Sequence, residues 1–60
     1  MRNEDILAIL VERETACSFS LLMEDESFKK IFHKLTKKIK ADEIGKTSKI
    51  LINYANENLI

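Results

Sequence analysis

Sixty residues with 45% hydrophobic content, no proline and one cysteine suit a single small helical domain over 1–60, able to bury only about 60% of its unfolded surface. The apolar share excludes a disordered tail, Cys17 alone excludes an internal disulfide, and no apolar run reaches the roughly 20 residues that span a bilayer. The zero net charge is divided, because residues 1–26 hold seven acids against Arg2 and Arg13 while residues 27–60 hold eight lysines against Asp42, Glu43 and Glu57.

The first segment reads as a helix capped by Asn3, with Glu4 and Asp5 in the turn where the helix dipole favours acids. At about 100° per residue, Ile6, Ile9, Leu10, Cys17 and Leu21 share one broad face, with Leu7 and Val11 at its edge and Arg13 intruding on it. Cys17-Ser18-Phe19-Ser20-Leu21 then alternates apolar and polar residues, a period that fits a short strand as well as a helix. One long helix, two with a kink, or a strand near 17–23 all satisfy this stretch.

Glu24-Asp25-Glu26-Ser27 marks the next break, where Asp25 or Ser27 can cap a second helix. From Phe28 onward, Ile31, Phe32, Leu35 and Ile39 lie within about 60° of one line. Lys29, Lys30, Lys34, Lys37, Lys38 and Lys40 fall on the far side. This basic amphipathic helix is expected to run to Lys40 or Ile44 and to stop at Gly45. A third helix then starts at Thr47 or Ser48, with Leu51, Tyr54, Ala55 and Leu59 facing a core. Ile50, Ile52 and Ile60 widen its apolar surface beyond one core face, as expected where a second copy packs.

So small a core, without disulfide or metal staples, leads us to expect a homodimer or higher homo-oligomer. Its interface is expected at Phe19, Leu22, Ile50, Ile52 and Leu59. The acidic N-terminus is unlike a secretory signal, and with a free cysteine it suits a cytoplasmic protein.

Gly45-Lys46-Thr47, Leu51-Ile52 and Ala55 fall in the order that recurs in the second helix of ribbon-helix-helix repressors, which residues 45–59 resemble. That resemblance implies an obligate dimer whose paired strands, here Cys17 to Met23, read the major groove. It also implies that Thr47 and Ser48 grip a phosphate at a helix start. Residues 41–54 are similar instead to a helix-turn-helix unit, with Ala41, Ile44, Gly45, Leu51 and Tyr54 at its packing positions and Lys46 at a place usually apolar. There Thr47, Ser48, Lys49 and Asn53 would face the groove.

The expected function is accordingly that of a small regulator that binds DNA through a basic helical face and the 45–53 turn-helix. Lys29, Lys30, Lys34, Lys37, Lys38, Lys46 and Lys49 would neutralise phosphates, and Thr47, Ser48 and Asn53 would set register or read bases. The alternative is a protein-binding inhibitor or antitoxin-like accessory protein, of the kind carried by phages and other mobile elements, that docks an apolar helix face on a larger target. A basic amphipathic segment also resembles a membrane-surface helix, which the acidic first half and the lack of tryptophan argue against. Catalysis is not expected. Cys17 suits a core position, His33 lies among lysines about 140° from the apolar stripe, and Gly45-Lys46-Thr47 lacks the preceding glycine of a phosphate loop. No cofactor or metal is implied.

Overall fold

The computed structural model describes all 60 residues. It is all-α, with 77% of the chain helical and no strand. Four α-helices form: α1 (Asn3–Thr15), α2 (Phe19–Leu22), α3 (Glu26–Thr36) and α4 (Ile44–Asn58), with a 3₁₀ turn at Ala41–Glu43 leading into α4.

Local chemistry accounts for most of the element ends. Asn3 does not cap α1; Arg2 takes the cap position without a side-chain bond. Asn3 is instead the first helical residue, and its Nδ2 donates to the Ile39 carbonyl at 3.2 Å. Ala16 ends α1 in the left-handed region, at φ 54° and ψ 33°. This resolves the ambiguity after Thr15 in favour of two helices. The second is the single turn α2, whose Phe19 N–H donates to Glu12 Oε2 at 2.9 Å. The strand expected near 17–23 does not form. Asp25 caps α3 as its position suggests, its Oδ2 accepting from Phe28 N–H at 2.9 Å.

Helix α3 ends at Thr36, earlier than the lysine-rich pattern indicates, and Gly45 does not stop it. Lys40 is extended at φ −101° and ψ 158°, and its N–H donates to Glu43 Oε1 at 3.0 Å, starting the next element. Gly45 lies in the first turn of α4 with no positive φ. The last helix therefore begins at Ile44 instead of Thr47 or Ser48.

Three observations set the helix directions. Glu12 near the end of α1 holds the start of α2, while Glu4 at the other end of α1 shares a groove with His33, Lys34 and Lys37. Helix α3 thus runs back along α1. Phe28 at the start of α3 meets Tyr54 near the end of α4, with ring centroids 6.4 Å apart, so α4 runs antiparallel to α3 and alongside α1. The result is an up-down-up bundle with α2 across one end. Its radius of gyration, 10.3 Å, is about that of a self-contained chain of this length, so the chain closes its own core.

That core is Leu7, Val11, Leu22, Phe28, Phe32, Leu51 and Ala55. Phe19 of α2 packs on two rings of α3, edge-on to Phe28 at 5.9 Å and to Phe32 at 5.0 Å, and such pairs add about 0.5–1.5 kcal/mol beyond area burial. The apolar stripe of α3 packs inward as expected, with Ile31 and Leu35 partly buried against the core, as are Ile39 in the turn after it, Tyr54 of α4 and Leu59 just past the end of α4. The face expected for the first helix is rotated. Leu7 and Val11, placed at its edge, are fully buried, whereas Ile9 is 42% and Leu21 58% exposed. Two buried threonines satisfy themselves within their helices: Thr15 Oγ1 donates to the Val11 carbonyl and Thr36 Oγ1 to the Phe32 carbonyl, each at 2.7 Å.

Candidate nucleic-acid interface

Between Ser27 and Ala41 the chain carries six lysines and no acid. Helix α3 needs its apolar stripe for the core, so its cations are left on the outside. Measured from Phe28, Lys37, Lys30 and Lys34 point about 180°, 200° and 240° away. All six lysines, including Lys29, Lys38 and Lys40, are exposed. The local arrangement favours them, because His33, Lys34 and Lys37 sit at the C-terminal end of α3, where the helix dipole welcomes positive charge. Acids at its N-terminus, Asp25 and Glu26, do the converse.

No lysine is tied to a carboxylate. The one ion pair in the protein joins Arg2 to Glu4 at 3.5 Å, between side chains that are 80% and 43% exposed. The C-terminal end of the lysine helix borders an open groove of about 560 Å³ whose lining, Glu4, His33, Lys34, Thr36 and Lys37, contains no apolar residue. His33 is exposed and stands edge-on to the Phe32 ring at 5.9 Å. No group of three or more His, Cys, Asp or Glu residues is placed to hold a metal ion.

The turn-helix part of the expected site is arranged differently. Thr47 and Ser48 are buried, at 8% and 6% exposure. They stand inside α4, past its first turn, and Ser48 Oγ donates to the Gly45 carbonyl at 2.8 Å. The Ser48 hydroxyl is thus engaged within the helix, and neither residue stands at the helix start where a phosphate would be gripped. Lys46, Lys49 and Asn53 remain exposed on α4. Lys49 and Asn53 line a second groove, against Leu10 and Glu14 of α1, which shares no residue with the groove beside Lys34 and Lys37. Lys49 of α4 thus borders a different groove from Lys34 and Lys37.

The expected interface residues also separate. Leu22 is buried at 3% exposure, and Phe19 and Leu59 pack against the monomer's own core. Ile52 is partly buried against that core in the same way, and Ile50, 47% exposed, is the one exposed member of the set. Ile50 and Ile52 lie about 200° apart around α4, so one flat interface cannot cover both. Sequence periodicity missed Leu10 and Glu14 as lining residues of a shared groove, since only the packing of α1 beside α4 brings them to Gly45 and Lys49.

No helix is long and apolar enough to cross a membrane. No family model matches the chain, and no curated protein or solved structure matches it.

Proposed function

We propose that this protein is a non-enzymatic binding module that engages the phosphate backbone of a nucleic acid through the lysine face of α3 and the turn after it. The observation that supports this reading is the run of six exposed lysines from Lys29 to Lys40, with no acid among them and no ion pair holding any of them. Each lysine that neutralises a phosphate releases condensed counterions, which supplies affinity without sequence information. A role in regulation would follow from occupancy of the nucleic acid.

Burial of Thr47 and Ser48 argues for backbone binding over operator reading. The helix start that either repressor-like arrangement would use for register is inside α4. Asn53 is the one remaining polar candidate for a base edge, and it stands on another groove from the lysines of α3. Binding should accordingly vary little with base sequence.

The test is fluorescence anisotropy of mixed-sequence duplex and single-stranded oligonucleotides across a salt series. For duplex, log affinity should fall with log salt, and replacing Lys30, Lys34 and Lys37 together by glutamine should flatten that slope by up to about 2.7. Circular dichroism should be unchanged, because all three side chains are exposed. Affinity indifferent to salt and to the triple substitution would refute the reading and leave a protein target as the better explanation.

A further inference from the structure

We propose that the groove between α1 and α4 is a self-association surface, where two copies of this chain meet about a two-fold axis. The groove holds Leu10 and Ile52 as its apolar residues, Glu14 from α1, and Gly45, Lys49 and Asn53 from α4. Glu14 and Lys49 are both exposed and carry opposite signs, yet no ion pair joins them within the chain. In a two-fold contact the same patch faces itself, so residue i meets residue j and j meets i. Glu14 then faces Lys49 of the second copy, twice. A partner of one charge sign would leave either the acid or the base opposed, whereas a second copy complements both.

Gly45 is the second observation. It is exposed on this groove, and a Cβ added to it would meet nothing within 4 Å. Nothing inside the chain requires this position to be small. A glycine here lowers the rim of α4 and lets another helix come close to its backbone. The chain also exposes 4359 Å², somewhat above the roughly 4,000 Å² expected for a folded monomer of its mass. With a net charge of zero, two copies do not repel as wholes at neutral pH.

This groove is built from α1 and α4, contains none of the six lysines between Lys29 and Lys40, and shares no lining residue with the groove beside Lys34 and Lys37. A dimer formed here leaves both α3 helices uncovered, and it stands or falls independently of nucleic-acid binding.

Sedimentation equilibrium of the full chain at low ionic strength tests it, with circular dichroism to confirm the fold. The wild type should dimerise in a concentration-dependent way. Glu14→Lys and Lys49→Glu should each weaken dimerisation by about tenfold, by setting like charges against each other, and the double exchange should restore it. Gly45→Leu should give a folded monomer. A wild type that stays monomeric up to millimolar concentration overturns the proposal. So do variants that dimerise as well as the wild type, or a double exchange no better than the single ones.

Discussion

The placement of glycine makes a prediction whose sign depends on the fold. If Gly45 terminated a helix in the left-handed region, Gly45→Ala would destabilise the protein by forcing a Cβ into that conformation. In the structure Gly45 is helical, its φ is not positive, and an added Cβ has open space around it. The substitution should therefore stabilise the monomer by about 0.4–1 kcal/mol, mostly by restricting the unfolded chain. A 60-residue chain has an unfolding entropy near 0.13 kcal/mol/K at about 2.1 cal/mol/K per residue, so Tm should rise by about 3–8 °C. Ala16 is the complementary case, since it holds φ 54°, where an L-residue other than glycine costs about 1–2 kcal/mol. Ala16→Gly should also stabilise, despite the added freedom of its unfolded state. Thermal and urea melts by circular dichroism would measure both, at a concentration where sedimentation shows monomer. A lower Tm for Gly45→Ala would refute the helical assignment of residues 44–48.

Phe28 is fully buried and touches the rings of Phe19 and Tyr54. Phe28→Ala should cost about 3–5 kcal/mol, a large part of the roughly 3–9 kcal/mol available to a domain this size; loss of the cooperative urea transition at 25 °C is the expected readout, and an unchanged midpoint would contradict the core described above. Asp25→Ala removes the acceptor of the Phe28 N–H and should lower stability by about 0.5–2 kcal/mol, whereas Ser27→Ala should have little effect; chemical denaturation separates the two. Asn3→Ala should cost about 0.5–1.5 kcal/mol by breaking the bond to the Ile39 carbonyl, and hydrogen exchange should show faster opening in the loop after α3.

The lysine face of the candidate site was legible in the linear order of residues, because charges on an exposed helix surface follow its periodicity and need no partner to be placed. Its limits were not. Lys38 and Lys40 lie beyond the end of α3, and Lys49 and Asn53 belong to another groove. Thr47 and Ser48, read as a phosphate grip, lie buried within α4 because that helix starts at Ile44. A hydroxyl near a glycine looks the same in sequence whether it caps a helix or lies within one.

By itself the sequence determined a mainly helical fold, the inward stripe of α3 with its start at Asp25 to Ser27, and the core side of α4. Each follows from residues three and four apart or from one polar group next to a helix start, and these relations are local. The face of α1 was not determined, because Ile6 to Val11 is an unbroken apolar run that satisfies several rotations equally. Packing beside α4 chose Leu7 and Val11. The alternation from Cys17 to Leu21 suggested a strand until the Phe28 and Phe32 rings and the Glu12 carboxylate held Phe19 at the start of a helical turn. The turn after α3 is tied down by the Asn3 amide, which donates to the Ile39 carbonyl 36 positions away in the chain. Such contacts arise only when distant segments meet, and no pattern of neighbours encodes them.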